Sequence, residues 1–157
     1  VFIYDGVAKD IIAGYKFGRR LALLPLLAQY LAVELGRWGA PPVVPVVPVP
    51  ASPAGRRRRG FDQVALLSRE LARRHAVVVC HALTRRRGRE QKRLDVAGRS
   101  RNLVGAVRVR PAVLAERPGR VILLDDVFTT GATIHECARV LRSAGVSAVD
   151  ALTLAAD

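Results

Sequence analysis

Residues 121–133 read VILLDDVFTTGAT: an unbroken apolar run, two adjacent carboxylates, then a glycine-centred turn. A strand that is apolar on both faces, as 121–124 is, belongs inside a parallel sheet covered on either side. The residues after the turn carry the helical period. Ile134, Cys137, Ala138 and Leu141 stand at i, i+3, i+4 and i+7, and Gly145 marks the stop. In open α/β sheets ligands bind outside the carboxyl ends of the strands, which is where this pattern places Asp125 and Asp126. Side chains alternate along a strand, so the two carboxylates cannot simply point the same way. One is expected to face the crevice directly, the other to approach a ligand from the side or through water.

Carboxylates in that position suit a sugar diol, or a magnesium ion that keeps most of its waters. The turn formed by Thr129, Thr130, Gly131, Ala132 and Thr133 suits an anion instead. Helix-end amides and the helix dipole favour a phosphate, Gly131 lets the backbone approach closely, and the hydroxyls add donors. A diol binder and a phosphate nest a few residues apart match the two ends of a ribose 5-phosphate. A Walker A loop would carry Lys after its glycine, where this chain has Ala132, and the three-glycine dinucleotide fingerprint is absent. Taken singly, the aspartates end a strand and Thr130 or Thr133 caps a helix. In combination and in this order they favour a phosphosugar site.

The 157 residues, half of them hydrophobic, read as a single domain, 1–157. Two N-terminal helices fill 1–40: one capped by Asp5 and running to about Lys16, then, after a break at Gly18, one over 20–38 with Pro25 in its first turn. PPVVPVVPVP at 41–50 predicts a strand over 43–49 with irregular ends, and ASPAGRRRRG a loop. Residues 61–75 form a helix with Val64, Leu67 and Leu71 on one face and Asp62 as its cap, and VVVCHALTR from Val77 a strand. Residues 85–101 are densely basic, contain Gly88 and Gly98 and show no apolar period, which predicts a long mobile loop with some helix. Further strands are expected at 106–109, 120–124 and 149–154. Strands alternating with helices imply an open, mostly parallel sheet with helices on both faces.

The chain carries 26 Lys and Arg against 13 Asp and Glu, a net charge of +13. Such a surplus favours phosphorylated small molecules, nucleic acid or an acidic protein as partners, although an arginine-rich proteome accounts for it equally well. Cys80 and Cys137 stand far apart without a CxxC, which excludes a four-cysteine zinc site and argues against a secreted disulfide scaffold. A reduced, cytoplasmic setting is expected. No apolar run is long enough to cross a bilayer, so no membrane insertion is expected. The three histidines fit no metal spacing, and methionine is absent throughout, so the chain reads as a trimmed part of a longer product.

Asp125-Asp126 followed by Thr129-Thr130-Gly131-Ala132-Thr133 resembles the phosphoribosyl pyrophosphate (PRPP) motif of type I phosphoribosyltransferases. YKFG at 15–18, PVPASPAGRRRRGFDQ at 48–63, and Gln91, Arg99 and Asn102 ahead of a Gly-Ala-Val strand are similar, in order, to elements of the ComF-like branch, associated with DNA uptake in naturally competent bacteria. The likeness covers essentially the whole chain. It implies a type I phosphoribosyltransferase-like sheet with a basic mobile hood at 85–101. Asp125 and Asp126 would be the catalytic pair, holding the ribose hydroxyls with Mg²⁺. Thr129 to Thr133 would hold the 5-phosphate, and Pro50, Ala51 and Ser52 the pyrophosphate. Arg59, Gln91 and Arg99 would be further substrate contacts.

The activity so implied is transfer of a phosphoribosyl group to a nitrogen acceptor with release of pyrophosphate, a step of nucleotide metabolism. The alternative is a PRPP- or nucleotide-binding module without turnover, acting in DNA uptake through single-stranded DNA or proteins of the competence machinery. Three positions depart from the family pattern. The N-terminal four-cysteine zinc module is missing, Asp62 stands where Asn is usual, and Thr129 stands where many type I transferases carry an acidic residue. The last departure, with no recognisable base-recognition segment, favours the module. The basic runs, Arg56 to Arg59 and the arginines of 85–101, are read as loops meeting at the sheet edge of the Asp pair, the plain alternative being solvated charge. Only Phe61 offers a stacking surface near them, and Lys16 belongs equally well to the site or to the surface.

Overall fold

The computed structural model describes residues 2–3, 6–17, 20–39, 44–85, 105–110 and 118–156. In chain order these are β1 (Phe2–Ile3), α1 (Gly6–Lys16), a 3-10 turn (Leu21–Leu23), α2 (Leu24–Arg37), β2 (Val46–Pro48), α3 (Pro53–Arg59) and α4 (Gln63–His75). β3 (Leu83–Arg85), β4 (Val107–Val109), β5 (Arg120–Phe128), α5 (Ala132–Ser143) and β6 (Ala148–Ala156) complete the chain. β1, β6, β5 and β2 lie side by side in that order, every pairing parallel. β3 and β4 form a separate antiparallel ribbon.

β5 is an inner strand, and its sequence explains why. Val121, Ile122, Leu123 and Leu124 are all fully buried. The two-residue alternation sends Ile122 and Leu124 into one core with Ile12 and Tyr15 of α1, Leu31 of α2 and Leu67 of α4. Val121 and Leu123 enter a second core with Ile134, Cys137 and Leu141 of α5 and with Leu83 and Val107 of the ribbon. Each such Leu or Ile contributes about 1.5–3 kcal/mol by leaving water. Helices therefore cover both faces, as the apolar run predicts.

Five expected boundaries are corrected. The strand of 43–49 is only Val46–Pro48, although Val49 N–H still donates to Leu124 O at 2.9 Å; its expected start at 43 lies outside the described residues. The 51–60 loop is largely helix. Ser52 caps α3 by accepting from Gly55 N–H at 3.0 Å, Pro53 opens it, and Gly60 closes it at φ 81°. Ser-Pro before and Gly after are start and stop signals, and arginine is a good helix former, so the run had no reason to stay irregular.

The strand expected from Val77 breaks in two. Val79 bridges Val46 at the sheet edge, Ala82 N–H then folds back to Cys80 O at 2.8 Å, and pairing resumes with β4 at Leu83. β5 and β6 each outrun their expected ends because they pair with one another from Arg120 to Phe128. The expected cap at Asp5, the break at Gly18 and all of the expected hood beyond Arg85 lie outside the described residues.

Candidate functional site

β5 carries both aspartates within it rather than at its end, and Asp125 sits opposite Thr153 of β6. The alternation then separates them by face. Asp126, only 5% exposed, lies with α1 and α4. Lys16 Nζ stands 3.0 Å from its Oδ1, and Gln63 Nε2 donates to its Oδ2 at 2.9 Å. The Tyr15 hydroxyl donates to the backbone carbonyl of Gln63 at 2.5 Å, tying the last turn of α1 to the first residue of α4. Burial, and then the charges of Asp126 and Asp62, push the Tyr15 phenol well above its usual range, so it stays a donor. Gln63 Oε1 is buried without a partner among the described residues.

Asp125 lies on the opposite face, toward α5 and the ribbon. Its Oδ1 accepts from Asp126 N–H at 2.9 Å. Burial first, then the neighbouring Asp126 charge, push its carboxyl up to about 7, against the pull of that amide and of Lys16 and Arg85. The Cys137 thiol feels the same field. It is pushed up to about 12 by burial and then by Asp125. Arg85, the last residue of β3, supplies positive charge to this side.

The Thr129–Thr133 turn follows directly. Thr129 and Thr130 are exposed, and Ala132 N–H reaches Thr130 Oγ1 at 3.5 Å. Gly131 is the residue before α5, at φ 70°, and no side chain caps that helix start. A Cβ at Gly131 would stand 2.8 Å from the Phe128 ring, so both the left-handed backbone and the packing require glycine there. Thr133 is partly buried one residue into the helix.

Pro50, Ala51 and Ser52 follow β2, the strand beside β5, so their loop leaves the sheet next to the Asp pair. The Ser52 hydroxyl is engaged in capping. Arg59 packs back onto Gly55, where a Cβ would meet Nη2 at 2.8 Å, and its Nε is buried without a partner among the described residues. The other arginines of the run are exposed on a helix rather than in a loop. Arg58 stacks over Phe17, 5.2 Å from the ring centre. A cleft of about 490 Å³ opens beside them, lined by Arg56, Arg57, Arg69, Phe61 and Asp62. Asp62 caps α4 by accepting from Ala65 N–H at 3.0 Å.

The fold thus brings together Asp126 with Lys16 and Gln63, and places the Thr129–Thr133 turn three residues beyond. Lys16, expected equally at the site or on the surface, is largely buried against Asp126. Gln63 and Phe17 fall within the quoted YKFG and GFDQ stretches, but their contacts could not be read there, since their partners come from other elements. Gln91 and Arg99 lie outside the described residues. The donors suit magnesium only in a loose mode. Among the described residues no cluster of three or more His, Cys, Asp or Glu exists, and both Asp126 oxygens already have partners. Asp125 and Asp126 could hold a hydrated magnesium ion only through its waters, and they do not form a protein cage.

No protein-family model matches the chain. Among curated proteins it is 28% identical to competence protein ComFC of Streptococcus pneumoniae over 154 residues, 98% of this chain. It is 33% identical to DNA utilization protein YhgH of Escherichia coli over 152 residues, 93% of this chain. The chain spans 66% of the length of each, just under two thirds. Among solved structures it resembles a glutamine phosphoribosylpyrophosphate amidotransferase from B. subtilis, with a TM-score of 0.53 at 21% identity, over 83% of this chain and 26% of that one. That likeness establishes the fold as the type I phosphoribosyltransferase fold. No helix among the described residues is long and apolar enough to cross a membrane.

Proposed function

The chain belongs to the ComF-like family of the type I phosphoribosyltransferase superfamily, and from that premise we propose that it binds PRPP at the carboxyl end of β5. One observation carries the reading. Beside the buried Asp126 carboxylate, Gln63 Oε1 is an acceptor with no donor among the described residues. A buried unpaired acceptor costs about 1–3 kcal/mol, and a ribose hydroxyl donating to it removes that cost. Asp126 accepts from the same diol. The amides and hydroxyls of Thr129 to Thr133 take the 5-phosphate, and Arg59 with the Pro50–Ser52 loop takes the pyrophosphate.

In transfer, the bond from ribose C1 to pyrophosphate breaks, a bond from C1 to the acceptor nitrogen forms, and that nitrogen's proton passes to solvent. Magnesium bound with the ligand would supply charge neutralisation at the leaving pyrophosphate. Thr129 offers no carboxylate to take the proton, so turnover depends on an acceptor that gives it up readily. Calorimetry with PRPP and Mg²⁺, followed by pyrophosphate release over a panel of nucleobases, tests both parts. Binding lost in the Asp125→Asn, Asp126→Asn double variant is expected. An absence of wild-type binding refutes the pocket, and binding without release leaves a non-catalytic module.

A second reading concerns DNA. The relatives' names speak of competence and DNA utilization, and the Arg58–Phe17 stack beside the arginine-lined cleft supports direct contact with single-stranded DNA. In that reading the domain serves DNA uptake, and PRPP or a nucleotide is a ligand it senses.

A further inference from the structure

Asp126 is neutralised by a cation that the chain itself provides. Lys16 is the last residue of α1, where the helix dipole favours positive charge. Its side chain is only 15% exposed, and that of Asp126 8%, so the 3.0 Å contact is largely shielded from water. The turn that carries it is anchored on both sides: Tyr15 donates to Gln63 O, and Phe17 lies under Arg58. An ammonium has three donors. One meets Asp126, and the remaining two, without a partner among the described residues, are available to ligand oxygens approaching the same carboxylate. The other Asp126 oxygen is held by Gln63.

We propose that Lys16 is a ligand-binding residue that stands in for a divalent cation at Asp126, so that the ribose phosphate half of the ligand binds without metal. The proposal rests on the phosphosugar reading above and deepens it. Magnesium then serves the pyrophosphate alone. The ammonium bridges Asp126 to a ribose oxygen, a task that would otherwise fall to a metal-bound water.

Ribose 5-phosphate is the discriminating probe, because it has the diol and the phosphate but no pyrophosphate to carry magnesium. Calorimetry compares it in Mg²⁺ and in EDTA for wild type, Lys16→Gln and Lys16→Arg, with PRPP plus Mg²⁺ as reference. Wild-type affinity is expected to change by less than about threefold on chelation. Lys16→Gln should lose roughly tenfold to a hundredfold in EDTA, the size of one charge-assisted hydrogen bond, and regain part of it with Mg²⁺. Lys16→Arg should keep the metal independence.

Wild-type binding of ribose 5-phosphate that vanishes in EDTA overturns the proposal. So does a Lys16→Gln protein with wild-type affinity in both conditions, while PRPP binding in the wild type leaves the phosphosugar reading intact. Wild type that binds neither ligand overturns that reading and this one together. The wild-type comparison needs no variant, so it decides even if Lys16→Gln fails to fold.

Discussion

Lys16 Nζ lies 3.0 Å from Asp126 Oδ1, joining the end of the first helix to the carboxyl-terminal half of the central strand. The pair is neither a surface ion pair nor a fully dry one. Removing either partner leaves a charge with little water around it, and the cost is expected to be about 2–4 kcal/mol, below that of a fully buried orphan charge. Urea denaturation of Lys16→Gln, Asp126→Asn and the double variant checks this. The double variant should be more stable than the sum of the single losses. Strict additivity would mean that the two side chains do not act on one another.

Gly131→Ala should destabilise the protein by about 1–3 kcal/mol, because it forces a Cβ into the left-handed region and against Phe128. The same substitution should weaken ribose 5-phosphate binding, since the displaced turn is the proposed phosphate site. Thermal melts and calorimetry read the two effects separately, and unchanged melting together with full binding would remove the turn from the site.

The pH dependence follows from Asp125. Its carboxyl titrates near 7 in the folded protein against an ordinary value of 3.8, so the folded state holds the proton more tightly than the unfolded chain. The proton's contribution to stability is therefore greatest in acid and is lost as pH rises from about 4 to about 7. Asp125→Asn should flatten that slope and be the more stable protein at pH 8. Denaturation at pH 5 and pH 8 for both proteins provides the measurement, and parallel profiles would contradict the assignment.

Glu136 is buried on α5 yet holds three donors: Gly105 N–H at 2.7 Å, and Arg139 Nε and Nη2 at 2.8 and 2.9 Å. Arg139, foremost, and then the Gly105 amide hold its carboxyl below the usual range against the cost of burial. Glu136→Gln should cost roughly 1–3 kcal/mol and speed hydrogen exchange at the Gly105 amide. Arg139→Ala should cost about 1 kcal/mol or less, because the arginine is largely solvated. Equal effects would place the stabilisation in the ion pair instead of the amide contact.

If single-stranded DNA binds along α3, the logarithm of affinity should fall linearly with log salt, and neutralising Arg56 and Arg58 should each flatten the slope by about one counterion. Phe17→Ala should weaken binding by roughly 1–3 kcal/mol without altering the slope. Filter binding across a salt series tells the two apart. Salt-independent binding, or none, would leave partner proteins as the route to DNA.

Much of the architecture was written locally. The 121–124 run could satisfy itself only between two covered faces, and the 134–141 period only against a sheet. The 53–59 helix was equally local but was hidden, because four consecutive arginines look like a solvated loop unless Ser52, Pro53 and Gly60 are weighed first. The true lengths of β5 and β6 were not local, since each is prolonged by pairing with the other. The break after Val79 likewise depends on which partner, β2 or β4, each segment finds.

By itself, then, the amino-acid order determined a covered parallel sheet, the positions of its central strand and of the glycine turn after it, and the opposite facing of Asp125 and Asp126, because periods of 2 and 3.6 residues and glycine's backbone freedom act within a few residues. Tertiary structure alone decided which aspartate is paired and which is pushed toward neutrality. It took Lys16 from α1 and Gln63 from α4 to meet Asp126, while Asp125 was left facing Cys137 and Arg85 across the sheet. Electrostatic fate depends on distance and burial, and neither is a property of neighbours in sequence.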